Sequence, residues 1–212
     1  MEASTATTQR RPRLSRAERK ERTRAELTAA AATVFLREGF HQASLDAIAE
    51  QAGYTKGAVY SNFESKDELF LAVLAGRYTE RIGNYAEAAL DQPRLEDSYR
   101  AVARFMFEQD RRDPRWAPLL LEFWAHASRR EDLRRAAVET RERFIEAIAG
   151  LVERLVERHG ARLRLPAKEV ARASGGFMRG VGIEWMLEPS TASLEQFEQA
   201  HCALMMGLTE TS

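Results

Sequence analysis

The side chains with chemical reach gather in one stretch, "SLDAIAEQAGYTKGAVYSNFESKDELF", from Ser44 to Phe70. Ser44, Thr55 and Ser61 carry hydroxyls, Tyr60 a phenol, Asn62 an amide, and Lys56 and Lys66 ammonium groups. These groups donate to phosphate oxygens and to the acceptor edges of bases. Gly57 and Ala58 add little bulk, so the backbone beside them can approach another surface. Lys66 stands at a helix start, where a cation opposes the helix dipole and a phosphate would relieve the conflict. Bond-breaking chemistry finds no matching pattern. The four histidines, His41, His126, His159 and His201, show no metal-ligand spacing with Cys202 or with carboxylates, and no nucleophile elbow or phosphate loop occurs. No catalytic residue, metal or cofactor is expected.

The elements that must position these groups are helical. "SRAE" (Ser15–Glu18) fits a capping box and opens a helix whose face is Leu27, Ala30, Ala31, Val34 and Phe35, stopped at Gly39. Ser44 caps a second helix that buries Leu45, Ile48, Ala49 and Ala52 and ends at Gly53, where a left-handed backbone costs glycine least. A short third helix covers about residues 55–62. Val59 and Phe63 share its inner face, which turns Gly57 and Ser61 outward and Tyr60 to the side. A short helix, a glycine turn and a second short helix form a helix-turn-helix, in which the N-terminal end of the later helix meets base edges.

"SKDE" (Ser65–Glu68) fits another capping box and starts a long helix through Leu69, Val73, Leu74 and Tyr78, with Pro93 near its end. Helical patterns continue over residues 95–112 and 131–158, the latter closed by Gly160. In "DPRW", Asp113 as N-cap and Pro114 at the first turn open one more helix. Pro166 starts another, and "SLEQ" (Ser193–Gln196) caps the last. No period-2 alternation suggests a strand. The expected fold is all-α with about nine helices. Its parts are a disordered basic arm over 1–14, a helix-turn-helix domain over 15–64, and a ligand-binding and dimerisation bundle over 65–212.

Composition agrees with a globular chain: 212 residues, 44% hydrophobic, 30% charged and formally neutral overall. The charge is unevenly spread, because residues 1–24 hold eight Lys/Arg against three Asp/Glu and the rest carries the compensating acidic excess. A basic end on a near-neutral body points to a polyanion partner. A single cysteine leaves no internal disulfide, and no apolar run is long enough to span a bilayer, so a cytoplasmic protein without membrane contact is expected.

The stretch over roughly residues 22–78 resembles the DNA-binding domain of the TetR/AcrR family of bacterial transcription regulators. The resemblance rests on "AAAATVFLREGF", "SLDAIAEQAGYTKGAVYSNF" and "ESKDELF", with Ile48-Ala49, Ala52-Gly53, Gly57, Tyr60, Phe63, Lys66 and Leu69 in the family's spacing. Asn62 departs from it, since the family often has His there. The resemblance implies that Ser44, Thr55, Lys56, Gly57, Tyr60, Ser61 and Lys66 contact DNA, with Asn62 altering a phosphate contact or base preference. It further implies a homodimer on a palindromic operator, and a small ligand in the C-terminal domain that releases DNA.

In the body, Phe105, Met106, Trp116, Phe123, Trp124, Phe144, Phe177, Met178 and Trp185 make an aromatic, methionine-rich interior that could enclose an apolar cavity. His126, Arg104 and Arg179 are candidates for polar groups that fix a ligand. "GGFMRGVGIEW" (Gly175–Trp185) places glycines in a helix, at about 1 kcal/mol each against alanine. Close helix–helix contact would compensate, and the last two helices are the expected dimer interface. The expected function is a DNA-binding regulator, most simply a repressor released by an apolar or amphipathic effector. The alternatives are a helical enzyme or small-molecule carrier without DNA binding, and a protein-interaction scaffold.

Overall fold

A computed structural model describes residues 15–211. The basic arm expected over 1–14 lies outside the described residues. Among these residues nine α-helices follow one another: α1 Arg16–Gln42, α2 Leu45–Ala52, α3 Lys56–Tyr60, α4 Lys66–Leu90, α5 Leu95–Arg112, α6 Trp116–Ala127, α7 Glu131–Arg158, α8 Ala167–Leu187 and α9 Leu194–Gly207. No helix among them is long and apolar enough to cross a membrane.

The starts of these helices follow their caps. At Ser15 both halves of the capping box form, with Glu18 N–H donating to Ser15 Oγ at 3.2 Å and Ser15 N–H to Glu18 Oε2 at 2.6 Å. At Ser65 only one half forms. Glu68 N–H donates to Ser65 Oγ at 3.1 Å, but the Glu68 carboxylate accepts from Glu64 N–H at 2.7 Å and from Arg24 Nη2 at 3.0 Å. A basic side chain from α1 has captured the reciprocal partner.

Two expectations need correction. β1 (Ala161–Leu163) and β2 (Thr209–Thr211) pair antiparallel, with Arg162 opposite Glu210. Strands of three residues are too short to show alternation, and only the folded chain brings them together. In addition, α6 starts at Trp116, two residues past the expected first turn, with Arg115 rather than Asp113 as its cap. The Asp113 carboxylate is drawn instead to Arg77 Nη1 at 2.7 Å, and the Arg77 guanidinium lies 4.0 Å over the Trp116 ring.

The core falls into two large clusters. One joins Leu27, Val34, Phe35 and Phe40 of α1 to Ile48, Val59 and Phe63, then runs through Leu69, Phe70 and Val73 of α4 into Trp116, Leu119 and Phe123 of α6. The helix-turn-helix thus shares its apolar interior with the body. Phe70 and Phe123 stack with ring centroids 4.2 Å apart, and Phe40 meets Phe123 edge-on at 5.2 Å. The other cluster unites the C-terminal half of α4 with α5, α7, α8 and α9 around Tyr99, Leu155, Trp185 and Phe197.

Candidate functional site

The turn between α2 and α3 is built from the expected glycine. Gly53 adopts φ 71°, ψ 27°, a left-handed conformation strained for other residues, and Tyr54 N–H returns to Ala49 O at 2.9 Å. Tyr54 Oη then donates to Glu26 Oε2 at 2.5 Å, fixing the turn against α1. Behind α3, Arg24 donates to the Asn62 carbonyl and lies 4.0 Å over the Phe63 ring. Val59 and Phe63 are 0% and 1% exposed, so α3 is held by its inner face.

The outer face is open. Thr55, Lys56, Gly57, Tyr60 and Ser61 are exposed, as is Ser44 at the start of α2, and Tyr60 keeps 59% of its surface free. Thr55 Oγ1 and Ser44 Oγ accept from Ala58 N–H and Ala47 N–H at 3.2 and 3.1 Å, so both hydroxyls serve as caps. Ser61 Oγ donates to Ala58 O at 2.9 Å. Lys56 Nζ pairs with the Asp46 carboxylate.

Two residues are turned inward. Asn62 Nδ2 donates to Ala58 O at 2.8 Å, and its Oδ1 is buried without a partner among the described residues. Lys66 Nζ donates to the carbonyls of His41 and Ala43 at 3.0 and 2.9 Å and lies 4.8 Å over the Phe40 ring. The conflict with the α4 dipole is thus relieved by the carbonyls that end α1. Burial chiefly pushes the Lys66 pKa down, against the raising effects of Asp67 and Glu122. The first turn of α4 is also occupied by acids. Asp67 accepts from Arg130 Nη1 at 2.6 Å and lies 3.2 Å from His126 Nε2.

The body holds a cavity bounded by α4, α5, α6, α7 and α8, with about 80 Å³ open to the centre of a water-sized sphere. Of the ten expected ligand residues, Met106, Trp124, Phe144 and Met178 line it. The other six do not. Trp116 and Phe123 belong to the core shared with the helix-turn-helix, where both rings stack on Phe70 of α4. His126 faces Phe40 and Asp67 at the junction of head and body. Phe177 and Trp185 pack on Phe197, and Phe105 meets Tyr85 edge-on at 5.6 Å. Arg104 is also elsewhere, paired with Glu198 at 2.7 Å, whereas Arg179 lines the cavity. Sequence reasoning missed Tyr78, Arg81, Tyr85, Arg141, Arg172 and Ser174 among the lining. Their helical faces were legible, but which face of α4 or α7 meets α8 is settled by tertiary packing.

A helix-turn-helix presented on a helical body is the architecture of a class of bacterial regulatory proteins. The chain belongs to the tetR family of bacterial regulatory proteins: that family's model matches residues 27–73, and the model for the C-terminal part of BetI-type transcriptional repressors matches residues 95–209. A curated relative, the HTH-type transcriptional activator FasR of Mycolicibacterium smegmatis, is 34% identical over 110 residues, 52% of this chain and 48% of that protein. The chain therefore spans about half of that relative's length. Two solved structures share the fold. The fatty acid degradation regulator FadR from Bacillus halodurans superposes with a TM-score of 0.69 at 18% identity, covering 88% of this chain and 96% of that one. FadR from Bacillus subtilis, in complex with stearoyl-CoA, gives 0.68 at 17% identity, covering 86% and 98%.

Proposed function

We propose that this protein is a sequence-specific DNA-binding transcriptional regulator, acting in the cytoplasm as a homodimer on a palindromic operator. In this reading a small amphipathic effector in the body releases it from DNA. The observation that carries the proposal is the exposed outer face of α3, with Thr55, Lys56, Gly57, Tyr60 and Ser61 open while Val59 and Phe63 lock its inner face. Such a helix can enter a major groove without unfolding anything behind it. Lys56 would meet guanine acceptors or a phosphate, and Ser44 and Tyr60 would meet the backbone. Lys66 holds the end of α1 and contributes by positioning α2.

The dimer is supported by the outer faces of α8 and α9. Gly176, Gly180 and Leu187 are exposed along one face of α8, and Ala200, Ala203 and Gly207 along one face of α9. A Cβ built at Gly180 would meet nothing within 4 Å, so packing inside one subunit does not account for that glycine. Close approach of a partner helix does. Two heads on one duplex would then sit about one helical turn apart, roughly 34–36 Å, or a multiple of it.

Gel shifts over a salt series test the reading. Binding that weakens steeply with salt marks phosphate contacts. Lys56→Ala is expected to relax sequence choice, and Tyr60→Ala to weaken operator and random duplex together. Salt-independent or undetectable DNA binding by the intact chain would favour a helical small-molecule carrier or enzyme instead.

A further inference from the structure

The cavity in the body is lopsided in charge. Arg81, Arg141, Arg172 and Arg179 line it and no carboxylate does. Arg172 is answered from outside the cavity, by Glu142 at 2.5 Å and Glu169 at 2.7 Å. Arg81 acts on Asp110, whose pKa is raised first by burial and then by Asp113, against the lowering charge of Arg81. Arg141 has only a weak answer and Arg179 has none. Arg141 approaches Glu142 only to 3.6 Å, on a carboxylate already engaged by Arg172, and its Nε is buried without a hydrogen-bond partner among the described residues. Arg179 forms no ion pair or hydrogen bond among the described residues and lies 5.9 Å over the Trp124 ring.

The two guanidiniums also act on one another. Burial first, and then the charge of Arg141, pushes the Arg179 pKa down, while Tyr78 opposes the shift. Burial raises the Tyr78 phenol, with Arg81, Arg179 and Arg141 all acting against it. Gly175 makes room for this arrangement, because a Cβ there would come within 3.1 Å of Arg179 Nη1. Arg179 is exposed and Arg141 keeps 38% of its side chain open, so water screens both in part, yet two like charges share one wall of an apolar cavity with only a long contact to one shared acid. A bound anion would reverse the sign, and the guanidinium fork suits carboxylate and phosphate oxygens alike.

We propose that the cavity binds a small amphiphile with an anionic head, held between Arg141 and Arg179 with the Tyr78 hydroxyl as a neutral donor, and an apolar body against Trp124, Phe144 and Met178. This rests on the reading of the cavity as the effector site. The limited free volume fits a short chain or a single ring better than a long tail.

Calorimetric titration of the full chain with octanoate, octyl phosphate, octanol and octylammonium tests it. At least one of the two anions is expected to bind about tenfold or more tightly than octanol, with octylammonium weakest. Which anion wins identifies the head as carboxylate or phosphate. Arg141→Gln with Arg179→Gln should abolish that preference and leave octanol binding unchanged, while Arg179→Lys, which keeps the charge, should retain most of it. Thermal unfolding of each variant confirms that it is folded. Octanol binding as tightly as both anions, or a double variant that keeps the preference or weakens all probes equally, would overturn the anionic head and leave the cavity as an effector site. Binding of none of the four probes would overturn both.

Discussion

Lys56 and Asp46 form an ion pair across the α2–α3 turn, with side chains 65% and 52% exposed. Such surface pairs contribute about 0.2–1 kcal/mol, so releasing Lys56 to DNA costs little. In the proposed DNA complex Asp46 would stand near phosphates and repel them. Asp46→Asn is therefore expected to raise affinity for random duplex several-fold at low salt, with a smaller gain at high salt, read by fluorescence anisotropy. Unchanged affinity would mean that the pair is open before DNA arrives. In the body, His201 is 1% exposed and its Nε2 lies 2.9 Å from Ser174 Oγ. Burial holds its pKa down at about 4, below the ordinary value of 6.5, against a weaker raising contribution from the Tyr99 backbone. Below pH 6.5 the unfolded chain takes up a proton that the folded one refuses. The stability this group contributes is thus complete above about pH 6.5 and lost as pH falls to about 4, a change of at most about 3 kcal/mol. A His201→Gln variant should show a flatter fall of melting temperature across that window. An identical pH profile would place the titration elsewhere.

At the scale of elements, α6 touches both the end of α1 and the cavity in the body. Its Glu122 carboxylate accepts from Phe40 N–H at 3.0 Å and His41 N–H at 2.8 Å, where Gly39 has broken α1 with φ 81°. A Cβ at Gly39 would come within 3.0 Å of Glu122 Oε2, so the left-handed kink and the carboxylate fit only around glycine. Two residues earlier on the same helix Leu120 lines the cavity, as does Trp124 two residues later. A shift of α6 around a ligand would therefore pull directly on the end of α1 and, through Lys66, on the start of α2. Glu122→Ala leaves the part-buried Phe40 N–H without its acceptor, at about 1–3 kcal/mol, while the exposed His41 N–H can turn to water. At roughly 2–4 °C per kcal/mol for a chain of this size, the melting temperature should drop by several degrees. Operator affinity in the same variant should respond less to an anionic amphiphile. A variant with unaltered melting and unaltered response would remove α6 from the coupling route.

For the whole molecule, the proposed dimer turns on the outer side of α8 and α9. Leu187 is 73% exposed and Met186 39%, beside the exposed small residues of that face. In the proposed dimer, burying that face against a second copy would cover them and link two recognition helices, so that the second contact with DNA would become intramolecular. Leu187→Glu combined with Ala203→Glu is expected to yield folded monomers in sedimentation experiments and to lower operator affinity by about tenfold or more. If the double variant remains dimeric, the interface lies on another face.

Much of this was written in local sequence. Ser15, Ser44, Ser65 and Ser193 start their helices, Gly53 shapes the turn, and Val59 with Phe63 tells which side of α3 is inner, because caps and periodicity act over four residues or fewer. Tertiary structure alone decided which aromatic residues enclose a space and which merely fill a core. Trp116 and Trp124 lie on one short helix, yet one is sealed against Phe70 and the other faces the cavity. It also turned Lys66 from a free cation into a clamp on the end of α1, and set Arg141 and Arg179 at one wall of the cavity, where only Glu142, already engaged by Arg172, reaches Arg141. Such outcomes depend on where helices distant in the chain cross, and no short-range pattern encodes a crossing.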